Sequence, residues 1–274
     1  MDCLDFVNSR NFVNAAWDAS LEEMRRLILA GADIETSIND YDDTALIWVA
    51  SAGRTLSVEA LIQAGANKEA TNRLGNTPLS AAVCHGHVSA VEKLIELGAN
   101  KEARNKFGST ALITATAAGN VLMIEKLIEK EVNIDAVNTA GFTALILAAR
   151  YGYLPVVEKL IKAGADKEAY NKEGVTALIA AAYNGHTDVL LTLIEAGANI
   201  AAVDKQGRTA LEAARHQKHC GVVSAIENSL QAVIGANILR FSRGRAAKES
   251  GVLADDELSD ELDHLKNKKR RKLT

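Results

Sequence analysis

An all-α solenoid of about seven stacked helix-turn-helix pairs, linked by loop or β-turn fingers, is the fold class this chain predicts. Three periodic features predict it. First, a Thr-Ala-Leu or Thr-Pro-Leu triplet recurs every 33 residues, at Thr44, Thr77, Thr110, Thr143, Thr176 and Thr209. Second, glycines recur in register: Gly53, Gly86, Gly119, Gly152 and Gly185 at +9 from the threonine, then Gly65, Gly98, Gly164 and Gly197 at +21. Third, apolar residues at +14, +17 and +18, as in Val157, Leu160 and Ile161, have the period of an amphipathic helix. A fixed period of this length marks one supersecondary unit. Such a unit cannot bury its apolar face alone and must stack on its neighbours.

Each unit reads in order. The small apolar run after the threonine, Ala144-Leu-Ile-Leu-Ala148-Ala149 in the fourth copy, suits a first helix packed closely on both sides. The glycine at +9 marks the turn, and the +14 to +18 stripe marks the second helix. Glycine at +21 suits a helix C-cap, where a left-handed residue is needed. Gly75, Gly108, Gly141, Gly174 and Gly207 sit two residues before each threonine, in Asn/Asp-x-x-Gly turns. Two breaks stand out. Glu131 occupies the +21 position of the third repeat, and Asp42 occupies the −2 position of the first loop, which is one residue longer than the others. Both are expected to adopt a left-handed backbone that side chains resist, and Glu131 then marks a strained joint near the middle of the array.

The unit from Asn138-Thr-Ala-Gly141-Phe-Thr143-Ala-Leu145 through Gly164-Ala165-Asp166 resembles the ankyrin repeat. The resemblance covers residues 8 to 230 in six registered copies. Proline follows the threonine only at Pro78, and the histidine common after the leucine is replaced by Ile, Ser or Glu. These departures weaken the local hydrogen bonding of the first-helix turn, not the fold. The ends read as caps. Residues 8–40 form a degenerate N-terminal repeat with Phe12, Ala15-Ala16 and Leu27-Ile28 in register. Residues 41–208 are the internal repeats, and 209–234 the closing helices, with Lys218 in the place of the turn glycine. The array thus spans 1–234, followed by a linker over 235–253 and a charged tail over 254–274.

Composition narrows the function. With 48% apolar and 24% charged residues, the repeats can bury a continuous core. No run of 18 apolar residues occurs, so no membrane span is expected. The acidic N-terminus, with Asp2 and Asp5, is not expected to be a secretory leader. Three scattered cysteines fit a reducing compartment, which predicts a cytoplasmic protein. No phosphate-binding glycine loop, zinc quartet or serine elbow is present. His216, His219 and Cys220 lack a further ligand and are read as capping-helix surface. The chain is therefore expected to be no enzyme, with no cofactor, no metal and no small-molecule substrate.

A binding surface is expected instead. The resemblance implies that the loop tips and the end of each first helix line a concave groove. In this register those are positions −4, −3, −1, +7 and +8 relative to each threonine. They place Trp17, Tyr41, Arg73, Leu74, His85, Lys106, Phe107, Phe142, Arg150, Tyr151, Tyr183 and Asn184 on the groove. Six of the twelve aromatic residues fall there, and aromatics with arginine dominate interface energetics. Phe107, Phe142 and Tyr151 are expected to meet at its centre, whereas Trp48 and Phe12 belong to the core by register. The competing reading is that Phe107 and Phe142 cover loop backbone and Trp17 seals the cap. Arg73, Lys106, Lys172, Lys205 and Arg208 make the finger edge basic, which favours a protein or peptide partner of acidic or mixed charge. The array itself carries a net charge of −7, which argues against nucleic acid.

The tail splits into the acidic block Asp255–Leu262 and a basic cluster of Lys266, Lys268, Lys269, Arg270, Arg271 and Lys272. That cluster reads as a nuclear-import sequence, as a phosphate contact or as a solvated terminus. The resemblance adds an alternative: the targeting array of a secreted bacterial effector, or a nuclear regulator addressed by its tail.

Overall fold

The computed structural model describes residues 11–231. Contact density separates Met1–Val223 from Ser224–Thr274, and the repeats through the first helix of the last pair lie in the first unit. The linker and tail read from the sequence lie outside the described residues.

Fourteen helices form seven pairs among the described residues. They are α1 (11–17), α2 (Leu21–Leu29), α3 (Ala45–Ser51), α4 (Thr55–Gln63), α5 (Pro78–Cys84), α6 (Val88–Glu96), α7 (Ala111–Ala117), α8 (Val121–Glu129), α9 (Ala144–Tyr151), α10 (Leu154–Lys162), α11 (Ala177–Asn184), α12 (Thr187–Glu195), α13 (Ala210–His216) and α14 (220–231). First helices pack in series from α3 to α13, and second helices from α2 to α12. Between the two layers lies a core of small and branched apolar residues, including Leu46, Val58, Leu61, Leu94, Ile124, Leu145 and Leu160.

Each repeating residue has a mechanical reason. The threonine is the N-cap of the first helix, with extended backbone, and its hydroxyl accepts from the N–H three residues on. In the last of these, Glu212 closes a reciprocal capping box with Thr209. Each finger opens on Asn or Asp at −5. Its side-chain oxygen accepts from the −3 and −1 N–H groups, as Asn138 does from Ala140 and Phe142, both at 3.0 Å. Successive fingers then join through backbone bonds: Arg73 N–H to the Tyr41 carbonyl, Lys106 to Leu74, Thr139 to Phe107, Lys172 to Ala140 and Lys205 to Glu173.

A third ladder runs through the Asn-Lys-Glu-Ala segments. Glu35, Glu69, Glu102, Asp135 and Glu168 each accept from the backbone N–H of residue 67, 100, 133, 166 or 199 in the next repeat, at 2.7–2.9 Å. Lys68 reaches the Leu97 carbonyl, and Lys101 reaches that of Lys130. These lysines satisfy carbonyls left open at the ends of α6 and α8.

Among the described residues, four side chains other than glycine have positive φ, and all stand at glycine registers: Ala19, Asp42, Glu131 and Lys218. Glu131 has φ +55°, as its position in the pattern predicts. The helix-closing bond just after it, Val132 N–H to the Leu127 carbonyl, is 3.4 Å, against 2.9–3.0 Å for Ala66, Ala99, Ala165 and Ala198 in the other repeats. Glu131→Gly is therefore expected to raise stability by up to about 1 kcal/mol, read as a shift in the urea midpoint. A neutral or destabilising outcome removes both the strain and the joint.

One aromatic departs from its expected place. Trp48, assigned to the core by register, is only half-buried: its ring lies 4.4 Å from Trp17. The two tryptophans cover part of each other's surface where the cap meets the first full repeat.

Candidate functional site

On the finger side lies a cleft of about 510 Å³ built from the fourth, fifth and sixth fingers. The register explains its walls. Phe142 precedes the cap threonine of α9, and Arg150 lies in the last turn of that helix. Val175 holds the same place before α11, whose last residues are Tyr183 and Asn184. Ile179 and Ala180, one turn into α11, form the apolar floor. Glu173, Gln206 and Arg208 come from the tips and flank of the last two fingers.

These side chains are held. The Arg150 guanidinium lies over the Phe142 ring, 5.5 Å from its centroid. The carbonyl of Arg150 is hydrogen-bonded by His186 Nε2 at 3.0 Å, and that of Tyr183 by His219 Nε2 at 3.1 Å. Each helix end that presents a groove side chain is thus pinned from the next repeat. Asn184 donates its amide to the Ala180 carbonyl at 2.8 Å, which leaves the amide oxygen toward solvent partners. Tyr183 is 42% exposed.

Asp204 sits at the back of the cleft, 4% exposed. It accepts from the N–H groups of Gln206 and Arg208, both at 2.9 Å, and from the Arg208 guanidinium at 2.7–2.8 Å. Burial by itself raises this carboxyl. The hydrogen bonds from the Arg208 side chain and from the two backbone N–H groups outweigh it and hold Asp204 below the usual carboxylate value.

Four sequence-predicted residues meet here: Phe142, Arg150, Tyr183 and Asn184. The others are distributed along the array. Tyr41 and Phe107 are both 62% exposed on their fingertips, and Leu74 is 45% exposed between them in sequence order. Lys106 and His85 are exposed, and His85 Nδ1 lies 2.9 Å from the Ala81 carbonyl. Tyr151 does not join Phe142. Its ring neighbour is Tyr153, at 5.6 Å, because the +8 position leans toward the inter-helix turn. The expected aromatic centre of Phe107, Phe142 and Tyr151 is therefore replaced by a cleft one repeat further along. Trp17 is half-buried between Trp48 and the Arg54 guanidinium, 4.4 Å over its ring, and its carbonyl accepts from Arg54 and Ser57. Those interactions seal the cap.

The basic finger edge is also smaller than its residue count suggests. Arg73 is bound to Asp42 at 2.8 Å, and that guanidinium holds the Asp42 carboxyl below its ordinary value. Arg208 is neutralised by Asp204. Arg150, Lys172 and Lys205 have no carboxylate partner among the described residues. Sequence reasoning overlooked Asn171 and Asp204 as cleft walls, and Ile179 and Ala180 as floor. Their registers mark them as turn and core residues, and nothing in the pattern says that the surface opens here.

The stacked helix pairs, with finger loops and an open cleft, define a repeat solenoid built for surface recognition. The chain belongs to the ankyrin repeat family: the model for ankyrin repeats matches three times, over residues 12–105, 97–171 and 156–232. No curated protein sequence matches it. Among solved structures it is similar to the ankyrin repeat domain of Bcl-3, described as a unique member of the IkappaB protein family. The identity is 26%, the TM-score 0.71, and the match covers 79% of this chain and 97% of that one. Ankyrin repeats generally mediate protein–protein interactions, and neither likeness points to an enzymatic family. No helix among the described residues is long and apolar enough to cross a membrane.

Proposed function

We propose that the chain is a non-catalytic interaction module that holds a protein partner across the finger-side groove, with the cleft of the fourth to sixth fingers as its main seat. The observation that carries this reading is the convergence of Phe142, Arg150, Tyr183 and Asn184 on one opening. All four stand at register positions that the repeat does not need for packing. Aromatic and arginine side chains at the rim of an apolar floor are the composition of an interface centre. Their helix ends are pinned by His186 and His219, so little ordering accompanies binding.

Tyr183→Ala tests it. A pull-down from lysate with the full chain, followed by titration of the recovered partner, is expected to show a loss of about 1–2 kcal/mol in affinity. The melting temperature is expected to stay within about 2 °C, since the ring is largely outside the core. A large stability loss with unchanged capture makes Tyr183 a packing residue and removes the groove.

A further inference from the structure

The cleft's electrostatics specify the chemistry of its occupant, an inference that rests on the groove reading above. Three cations at or beside the opening, Arg150, Lys172 and Lys205, lack a carboxylate partner among the described residues. Of the carboxylates, Asp204 is consumed by Arg208 and by the finger backbone, which leaves the Glu173 carboxylate at the rim with no donor among the described residues. The floor of Val175, Ile179 and Ala180 is apolar. An occupant must bring negative charge to Arg150, apolar surface to the floor and N–H or O–H donors to Glu173.

We propose that the cleft binds an extended peptide segment carrying an acidic residue close to an aliphatic or aromatic one, the carboxylate seated on Arg150 and the apolar side chain between Phe142 and Tyr183. The dimensions agree. Packed helices stand about 10 Å apart, so three fingers span about 20 Å. An extended chain rises about 3.3 Å per residue, and about six residues fill the trough. Arg150 suits a carboxylate because its planar fork, stacked on Phe142, presents parallel donors. A polyanion is disfavoured: a string of phosphates would pass Glu173, whereas a peptide offers it backbone N–H groups. Exchange of charge at Arg150 should therefore exchange the sequence preference, not merely weaken binding.

The test is selection of a random 12-residue peptide library displayed on phage, with the full chain immobilised. Enriched peptides are expected to pair an acidic residue with an aliphatic or aromatic neighbour. A synthetic copy of one such peptide is then titrated by fluorescence anisotropy against wild type, Arg150→Glu, Arg150→Met and Tyr183→Ala. Arg150→Glu is expected to weaken it by about a hundredfold and Arg150→Met by about tenfold, as befits reversal or removal of a charge-assisted hydrogen bond. Reselection on Arg150→Glu is expected to enrich basic peptides. Circular dichroism melts of the exposed-site variants verify that the fold is kept. Enriched peptides that lack an acidic residue, or that bind Arg150→Glu unchanged while losing affinity to Tyr183→Ala, overturn the proposal and leave the groove reading standing. Peptides indifferent to all three variants overturn both. Failure to enrich any peptide, or tighter binding of a 20-mer single-stranded oligonucleotide than of the selected peptide, also overturns the proposal.

Discussion

Gly141→Ala is expected to destabilise the array by about 3 kcal/mol, while Gly207→Ala, in the same register, costs about 1 kcal/mol. Both glycines are left-handed, with φ +82° and +74°. A methyl group meets the same backbone penalty of about 1–2 kcal/mol at either site, offset by the smaller entropy of the unfolded alanine chain. The difference lies in what comes next. A Cβ on Gly141 would stand 2.8 Å from the Lys172 nitrogen and 3.1 Å from the Asn171 Cα, whereas one on Gly207 meets nothing within 4 Å. The colliding atoms at Gly141 are main chain. The nearest, the Lys172 nitrogen, donates the bond to the Ala140 carbonyl that ties the two fingers, so relief strains or breaks that bond. Urea unfolding of both variants, followed by far-ultraviolet circular dichroism, separates the two costs. Equal losses would mean that the finger ladder yields freely and that glycine is there for φ alone.

That contrast shows what the sequence states and what it leaves unsaid. The repeat glycines, the threonine caps and the apolar stripes are local requirements. Each is met by one residue type at one register, so a fixed spacing exposes it. The ladder through Glu35, Glu69, Glu102, Asp135 and Glu168 is legible in the same way, as an acidic residue at a constant offset. Even the exceptions follow the rule, since Glu131 and Asp42 adopt the backbone of the glycines they replace. The site is legible only as a set of candidates. Register says which residues are free of packing duty, but not which of them pair off. Arg73 turns to Asp42 and Trp17 to Trp48 across repeats, and Tyr151 to Tyr153 across its own inter-helix turn; these choices depend on side-chain reach. The cleft combines residues of three consecutive fingers, from Phe142 to Arg208, and no single register announces that combination.

The second large effect concerns Asp204, whose removal separates the turn's geometry from its charge. Asp204→Ala takes the acceptor from the N–H groups of Gln206 and Arg208 and strands the Arg208 guanidinium. A loss of about 3 kcal/mol is expected. Asp204→Asn keeps the turn, since Asn occupies this register in every earlier finger from Asn39 to Asn171. It removes only the ion pair, and because the Arg208 side chain is 36% exposed, screening limits that loss to about 1 kcal/mol. The sign of the pH dependence follows from the lowered carboxyl. The unfolded chain takes up its proton near the ordinary aspartate value of about 3.9, while the folded chain resists until a lower pH. The contribution is thus fully present above about pH 4 and is lost as the pH falls through the native value. Urea midpoints from pH 2 to 7 are expected to show a shallower acid decline in Asp204→Asn than in wild type, with the two profiles parallel above about pH 5. Superimposable acid limbs would show that neither the Arg208 bond nor the finger's N–H groups hold the Asp204 carboxyl below its unfolded value. A further consequence reaches the cleft. With the turn intact but the pair gone, Arg208 becomes a fourth unpaired cation beside Arg150, Lys172 and Lys205, so Asp204→Asn is expected to tighten acidic peptides while Asp204→Ala loosens them. A uniform loss in both variants would instead make the finger's shape, and not its charge, the quantity that the cleft presents.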